Sequence, residues 1–367
     1  MFALFLSFTF LLYIPIVAGA AWYLAFEERR CPPIKVRPAF AVSVIIPFRN
    51  EKKHLTRLMS ALRQQIYQGK AEFIFSDDHS EDGSAEVILE SHFSGCMYLP
   101  PVPGQTGKKA AITRAIEVAS GEIILTTDAD CIPGPKWLQS MINPFVNSEI
   151  QMVLGPVALA QNNWFGRLQS AEFHSIMAIT RLSAALNKPL MANGANLAYR
   201  KEVFVKLYGY SGNEQVTSGD DEFLLRKIIF LFPDSVRFNS DSDALITAEP
   251  SFTLIEFLNQ RIRWAGKWKF QPDKISLVVA TGVFCFQLLT IIFFIDLLIQ
   301  PSVWHSILIL KIFSEFLLLR ESARQMNTSF HFYDHLIISM IYPFYVLVVA
   351  VGTLFFNPQW KGRPVKI

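Results

Sequence analysis

The sequence has few cysteines, little net charge and no clustered histidines. Its four cysteines, at positions 31, 96, 131 and 285, show no paired spacing, so no disulfide framework is indicated. Among the seven histidines only His331 and His335 stand at i, i+4, and no further histidine or cysteine lies near them in the sequence, so we assign no zinc site. The formal net charge is only +3, and the basic residues do not form one long run. Nucleic-acid binding is therefore not expected.

Several signatures of common enzyme classes are also missing. The chain contains no Gly-x-Ser-x-Gly, no Walker sequence and no dinucleotide-binding fingerprint. These absences argue against α/β-hydrolases, P-loop nucleotide hydrolases and nicotinamide-dependent dehydrogenases.

Long apolar segments, by contrast, are abundant, and apolar residues make up 51% of the chain. The segment 2–26 has no charged residue and is long enough to cross a hydrocarbon core about 30 Å thick as a helix. We interpret it as a retained anchor. The alternative is a cleaved signal peptide with a cleavage site at "AGA", 18–20, but the apolar run is long and no basic residue precedes it.

Three further apolar segments of helix-spanning length follow, at 275–299, 302–319 and 336–356. The middle one contains His305, Lys311 and Glu315, and a lysine at a bilayer centre costs about 2.5 to 3.5 kcal/mol. We therefore expect this segment to be interfacial or re-entrant, with Lys311 and Glu315 paired at i, i+4.

Basic residues near the apolar segments predict the orientation in the membrane. "EERR" follows the first segment and "RIRWAGKWK" precedes the second, which places the central domain in the cytoplasm. The basic tail "WKGRPVKI" also favours the cytoplasm, so one C-terminal segment is expected not to cross. We predict a multi-pass integral membrane protein of the plasma or inner membrane. Its predicted parts are an N-terminal anchor at 1–27, a central domain at 39–270, transmembrane or interfacial helices at 274–357 and a basic tail at 358–367.

The central domain alternates short apolar strands with amphipathic helices, which is typical of an α/β fold with a mainly parallel sheet. Ligands of such sheets bind at the carboxyl ends of the strands. Polar clusters follow three of the predicted strands, and they are "PFRNE", "SDDHSEDGS" and "TDADC". We expect these clusters to meet in one crevice.

Asp128 and Asp130 form an Asp-x-Asp pair at the end of the apolar strand "EIILTT". Side chains at i and i+2 of a strand share a face, so the two carboxylates are expected to lie side by side. Such a pair suits Mg²⁺ or Mn²⁺, which bind few carboxylates and complete their shell with water and phosphate oxygens. The alternative is a solvated turn.

Other polar residues are candidates for binding a nucleotide. Asp78 ends the second strand and can accept a hydrogen bond from a base, although its stretch also has turn chemistry. Lys108 and Lys109 begin a helix, where the dipole favours a diphosphate; an exposed basic turn is the alternative.

Two further motifs come later in the domain. Asp220, Asp221 and Glu222 precede a helix, and one of them is a candidate general base for an acceptor hydroxyl, unless they only cap the helix. The stretch "FLNQRIRWAGKW" is basic and aromatic, and interfacial anchoring would explain it as well.

Taken in order, these stretches resemble the family 2 glycosyltransferases, and most closely the membrane-bound branch that includes cellulose, hyaluronan and ceramide glucosyl synthases. The stretches that carry the resemblance, over about 40–270, are "VSVIIPFRNE", "FSDDHSEDGS", "GKKAAI", "GEIILTTDADC", "SGDDEFLLR" and "QRIRW". The resemblance implies a GT-A fold, a nucleotide-diphosphate sugar donor, usually UDP-linked, and inversion at the anomeric carbon.

The resemblance also implies roles for individual residues. Residues lining the nucleotide and diphosphate sites would be Pro47, Arg49, Glu51, Asp78, Lys108, Asp128, Gln260, Arg263 and Trp264. Asp130 would hold the metal together with Asp128. The family pattern Glu-Asp-x-Asp is incomplete here, because Gly219 stands first. Counting back from Arg226 assigns the base to Asp220, with Asp221 as the alternative.

Three or four membrane segments are too few for one subunit to enclose a polymer channel. The resemblance therefore favours transfer of a sugar to a lipid or lipid-linked acceptor at the membrane. One alternative is a processive polysaccharide synthase that works as an oligomer or with a channel partner. Another is a non-catalytic scaffold that binds nucleotides.

Overall fold

The computed structural model describes residues 2–30, 38–213, 219–266, 274–356, 358–361 and 363–364. The predicted domain boundary at 270, Cys31 and much of the basic tail lie outside these residues. The helices are α1 (Phe2–Arg30), α2 (Lys52–Arg63), α3 (Ser84–Leu89), α4 (Lys108–Val118), α5 (Trp137–Ile142), α6 (Trp164–Ala185), α7 (Lys201–Lys206), α8 (Asp220–Leu231), α9 (Leu254–Gly266), α10 (Lys274–Ile299), α11 (Ile307–Gln325) and α12 (Phe332–Phe355). The strands are β1 (Val42–Phe48), β2 (Ala71–Asp77), β3 (Cys96–Leu99), β4 (Ile123–Thr126), β5 (Cys131–Pro133), β6 (Met152–Leu154), β7 (Val157–Leu159), β8 (Leu197–Arg200), β9 (Val236–Phe238), β10 (Ile246–Ala248), β11 (Gln359–Trp360) and β12 (Arg363–Pro364).

A seven-stranded sheet forms the centre of the domain between α1 and α10, with the strand order β3-β2-β1-β4-β8-β6-β9. Strands β1 to β4 run parallel, whereas β8 is antiparallel to both of its neighbours. The predicted mixed, mainly parallel α/β sheet is confirmed. The chain passes from β1 outward to β3 and then returns to place β4 on the other side of β1. This reversal of direction opens a crevice at the carboxyl ends of the strands.

Two apolar cores cover the faces of this sheet. Successive residues of β1 point to opposite faces, so Val44 and Ile46 pack with Leu58 of α2, whereas Ile45 packs with Ile112 of α4. All seven residues of β1 are buried. Helices on both faces therefore hold the central strands rigidly, and the loops at their carboxyl ends start from fixed positions.

The Asp128–Asp130 pair lies in a turn and not in a strand, contrary to our expectation of a strand end. β4 ends at Thr126, and the amide of Cys131 donates to the carbonyl of Asp128 at 3.2 Å to close the turn. The chain leaves the sheet here to enter β5 of a separate three-stranded sheet, β5-β10-β7. The two-residue periodicity of a strand therefore does not set the direction of these carboxylates.

Among the described residues, three helices are long and apolar enough to cross a membrane: α1, α10 and α12. α11 packs along α1, and it carries the predicted i, i+4 pair, with the Lys311 Nζ 2.8 Å from a Glu315 oxygen. The Tyr13 hydroxyl of α1 donates to the same carboxylate at 2.8 Å. The charges of the predicted middle segment are therefore paired inside a helix bundle and do not face lipid.

Candidate active site

A cavity of about 1260 Å³ opens at the carboxyl ends of the parallel strands. The site residues implied by the resemblance all line this cavity, namely Pro47, Arg49, Glu51, Asp78, Lys108, Asp128, Asp130, Asp220, Asp221, Gln260, Arg263 and Trp264. Lys109 does not line it, and its Nζ donates to the carbonyl of Asn213 at 2.9 Å. Stretches that are far apart in the chain thus meet at one place, as the sheet topology requires.

Acidic and basic groups alternate at the centre of the cavity. The Lys108 Nζ lies 2.5 Å from Asp128 Oδ1. Burial lowers the pKa of Lys108, but Asp128 and Asp220 raise it by more, so its ammonium group stays charged. Arg263 faces the same acids; burial lowers the pKa of its guanidinium, and these acids oppose that shift. Two buried cations therefore lie beside the acids at the centre of the cavity.

Asp130 lies among other carboxylates. Burial raises its pKa to about 6, with further contributions from Asp128 and Glu51. Such a group of acids favours a bound cation, because the cation would offset their mutual repulsion. Among the described residues, no three histidine, cysteine or acidic side chains lie close enough to form a complete metal site. The arrangement fits Mg²⁺ or Mn²⁺, which take one or two carboxylates and rely on phosphate oxygens for the rest.

The two candidates for the general base have different surroundings. Asp221 accepts hydrogen bonds from two backbone amides, that of Gly194 at 3.0 Å and that of Glu222 at 2.8 Å. Gly194 borders both Asp220 and Lys108. A Cβ added to this glycine would be 3.3 Å from the Lys108 Nζ and 3.4 Å from Asp220 Oδ2, so these two side chains are close neighbours. Asp221 thus fixes the loop around Gly194, and Asp220 faces the charged centre of the cavity.

Asp78 and Arg49 form the far end of the cavity, next to β1 and β2. Asp78 is 2% exposed and accepts the amide of Gly107 at 2.8 Å. The Arg49 Nη1 donates to the carbonyls of Asp78 and His79 at 3.0 and 2.8 Å, so this guanidinium braces the turn after β2. The Arg49 side chain therefore shapes the pocket by holding the backbone of this turn in place.

The carboxyl-terminal tail enters the same end of the cavity, which sequence reasoning missed. The Arg363 Nη1 lies 3.1 Å from each oxygen of Asp78, and the Lys361 Nζ lies 2.8 Å from Glu51 Oε1. The sequence showed a basic tail but assigned it only to a side of the membrane. These partners lie about 300 residues away in the chain, and no local pattern could have indicated the contact.

The helix α9, which carries Gln260, Arg263 and Trp264, is fixed by a buried ion pair that the sequence did not reveal. Arg261 donates to both oxygens of Glu172 in α6, at 2.6 and 3.1 Å, and both side chains are less than a tenth exposed. The guanidinium also lies 4.4 Å from the ring centre of Trp264. The pair fixes the face of α9 that turns Arg263 toward the acids.

The opposite wall of the cavity is apolar and belongs to the C-terminal helices. Its apolar residues are Val279, Ala280, Val283 and Phe284 of α10 and Val346, Val349 and Ala350 of α12, and the same helices also contribute Thr281, Tyr342, Tyr345 and Thr353. The cavity therefore continues from the charged centre to helices of membrane-spanning composition. An apolar chain and a polar head group could occupy its two ends together.

Comparisons with known proteins agree with this geometry. Residues 43–208 match the family described as Glycosyl transferase family 2. The chain is 28% identical over 241 residues to the glycosyltransferase AglE of Haloferax volcanii, covering 64% of this chain and 76% of that protein. It is 24% identical over 271 residues to the poly-beta-1,6-N-acetyl-D-glucosamine synthase of Staphylococcus epidermidis, and the match covers 70% of this chain and 64% of that protein.

A third relative is the undecaprenyl-phosphate 4-deoxy-4-formamido-L-arabinose transferase of Serratia proteamaculans, 30% identical over 176 residues, or 46% of this chain and 52% of that protein. The chain thus spans about half to three quarters of the length of these relatives. Among solved structures, a mannosyltransferase from Pyrobaculum calidifontis in complex with GDP-mannose and Mn²⁺ has the same fold, with a TM-score of 0.55 and 17% identity over 95% of this chain and 99% of that one.

The fold, the motifs and these matches define the class: the protein is a glycosyltransferase. Over residues 43–208 the chain resembles glycosyltransferase family 2, and its GT-A-type domain lies between apolar helices.

Proposed function

We propose that the protein transfers a sugar from a nucleoside-diphosphate sugar to the hydroxyl of a lipid or lipid-linked acceptor at the membrane. The observation that carries this proposal is the continuity of the cavity. Its charged end holds Lys108, Arg263 and the acids, and its other end is walled by α10 and α12. The name of the Serratia proteamaculans relative, an undecaprenyl-phosphate sugar transferase, supports an acceptor of this kind.

In the proposed reaction, Asp220 takes the proton of the acceptor hydroxyl while that oxygen attacks the anomeric carbon from the side opposite the leaving diphosphate. The bond from the anomeric carbon to the diphosphate breaks, and the charge that develops on the leaving group lies near Lys108 and Arg263. Because these cations are already fixed by the surrounding acids, they need little rearrangement during the reaction.

Asp128 and Asp130 are the residues that would hold Mg²⁺ or Mn²⁺. When bound, the cation would supply Lewis acidity toward the leaving diphosphate. The Mn²⁺ in the Pyrobaculum calidifontis complex supports a divalent metal in this fold. For this chain, we base the proposal of a metal on the positions of Asp128 and Asp130.

The catalytic domain is proposed to face the cytoplasm, where nucleotide sugars are made available to membrane enzymes. The basic stretch ahead of α10 and the basic tail both favour that side. The protein would therefore be a multi-pass membrane enzyme that receives its donor from water and its acceptor from the lipid phase.

Transfer to extracted lipid tests the proposal. Membranes containing the protein are incubated with a panel of radiolabelled nucleotide sugars, and the lipids are extracted. We expect one labelled glycolipid, and Asp220→Asn should reduce its formation by about 10² to 10⁴-fold while nucleotide binding persists. Glu117→Gln, an exposed acid on α4, serves as the matched control.

Two other outcomes would replace the proposal. A ladder of polymer from purified protein would indicate a processive synthase. Absence of both transfer and metal-dependent hydrolysis with every donor would indicate a nucleotide-binding scaffold.

A further inference from the structure

The helix α12 has the composition of a membrane-spanning segment, yet the catalytic domain contacts it along its whole length. It has 24 residues and a mean hydropathy of 2.1. A helix of that length is about 36 Å long, so one that crosses a bilayer would carry one end about 30 Å away from the domain. The contacts at the two ends of α12 show whether it crosses the bilayer or stays beside the domain.

The first contacts are at the start of α12. The side chain of Gln161 donates to the carbonyl of Ser329 at 2.9 Å, and the Arg167 Nε lies 3.5 Å from Asp334 Oδ2. The Arg167 guanidinium also lies 5.7 Å from the ring centre of Tyr333. Gln161 and Arg167 belong to the catalytic domain, so the start of α12 is held there.

The second half of α12 is held by the same domain. The Tyr345 hydroxyl donates to Glu172 Oε1 at 3.3 Å, and the Tyr345 ring lies 5.5 Å from that of Phe257 in α9. Near the end of the helix, Gly352 packs so closely on Ile262 that a Cβ would lie 2.5 Å from it. The tail then continues to the end of the cavity that is formed by Asp78 and Arg49, as described above. Both ends of α12 therefore lie on the catalytic side.

The helices α1, α10 and α11 extend away from the domain together. At their far end, Ser7 Oγ donates to the carbonyl of Trp304 at 3.3 Å, and the His305 Nε2 lies 3.2 Å from Asp296. At the near end, Gln325 donates to the carbonyl of Leu24 at 3.1 Å. α1 and α11 thus run side by side over the same height, and α10 joins their far end to the domain.

The exposed surface of α12 is a continuous apolar stripe. Its polar residues Asp334, His335 and Ser339 are buried against the protein. The stripe consists of Ile337, Ile341, Phe344, Val348 and Val351, each 44 to 51% exposed, and the exposed domain residues Trp164, Phe252 and Ile255 are also apolar. One side of α12 therefore packs on the protein, and the other side presents an apolar surface along the length of the helix.

We propose that α12 does not cross the membrane but lies in the leaflet on the catalytic side, and that α1, α10 and α11 are the crossing helices. The partner of the stripe is the lipid of that leaflet, because α10, which packs on α12, continues the apolar surface into the bilayer. The non-crossing segment is then the last one and not the middle one that the sequence singled out. The tail lies on the same side as the catalytic domain, as its basic residues require.

Labelling of single cysteines in sealed vesicles tests this topology. The four native cysteines are replaced by serine, and one cysteine is introduced at an exposed position: Glu149→Cys in the domain, Gln300→Cys between α10 and α11, and His331→Cys or Phe356→Cys at the two ends of α12. A membrane-impermeant maleimide should label positions 149, 331 and 356 from one side and position 300 from the other. Labelling of 331 and 356 from opposite sides would overturn the proposal.

Depth measurements decide the question if lipid shields position 356 from the maleimide. Spin labels at Ile337 and Val351, 14 residues apart, should report nearly equal depths from collisions with oxygen and with a water-soluble nickel chelate. A crossing helix would separate them by about 21 Å. Val278 and Leu298 of α10, both exposed, are the matched control and should differ by about 30 Å. A depth difference at 337 and 351 close to that of a crossing helix would refute the arrangement.

Discussion

The ion pair between Glu172 and Arg261 gives a sharp test of how the catalytic domain is held together. It joins α6 to α9, and the hydroxyl of Tyr345 brings α12 to the same carboxylate. Glu172→Gln keeps the shape of the side chain but leaves the Arg261 charge without its buried partner. We expect both the stability and the transfer rate to fall, since α9 also carries Arg263.

The expected loss follows from the burial of the pair, whose side chains are 6% and 3% exposed. Breaking a buried ion pair costs about 3 to 5 kcal/mol, and we expect about 3, because the glutamine amide oxygen still accepts one hydrogen bond. For a domain of this size, that corresponds to a decrease of about 6 to 12 °C in Tm. Thermal unfolding of the purified protein in detergent measures it.

Two control variants separate this explanation from a general effect of removing a charge. Asp243→Asn removes an acid from the exposed pair with Lys136, at 3.3 Å, and should cost less than about 1 kcal/mol. The double variant Glu172→Leu with Arg261→Met should recover most of the stability, because apolar side chains often replace a buried pair without loss. If Glu172→Gln unfolded within a degree of the parent protein, the reasoning would be refuted.

Three further predictions concern the cavity. Asp130→Asn should nearly abolish transfer and weaken Mn²⁺ binding, measured by electron paramagnetic resonance; unchanged Mn²⁺ affinity would remove Asp130 from the proposed metal site. Gly194→Ala should lower kcat about tenfold without a change in Tm, because its Cβ would press on the ends of Lys108 and Asp220; a parent-like kcat would contradict that crowding. Lys361→Ala should weaken the binding of a nucleoside diphosphate about tenfold by calorimetry, since it removes a positive charge from an acid-rich pocket, whereas Lys361→Arg should retain the affinity. Tighter binding by the alanine variant would show instead that the tail competes with the donor.

The parts of the site that could be predicted are those that depend on short, local sequence patterns. Alternating strands and helices imply a parallel sheet, and polar clusters after β1, β2 and β4 must then meet at one edge. That logic brought Arg49, Asp78 and Asp128 together correctly in space. Their chemical roles remain predictions, because position alone does not show which group transfers a proton.

Long-range contacts and the path of α12 could not be predicted in the same way. The contact of Arg363 with Asp78 joins opposite ends of the chain, and the Glu172–Arg261 pair depends on how α6 and α9 pack. Hydropathy measures the composition of a segment and not the surface against which it lies, so α12 resembled a crossing helix. The turn at Asp128 was only the alternative in the sequence analysis, because strand periodicity does not show that the chain changes sheets there.

The position of Lys361 and Arg363 after the membrane helices has a consequence for biosynthesis. The nucleotide-sugar site draws on the first strand of the domain and on a segment that the ribosome makes only after all four apolar helices. A nascent chain can therefore fold its sheet early without possessing a finished pocket. The cavity that the structure shows is therefore completed only after the last apolar helix has been made.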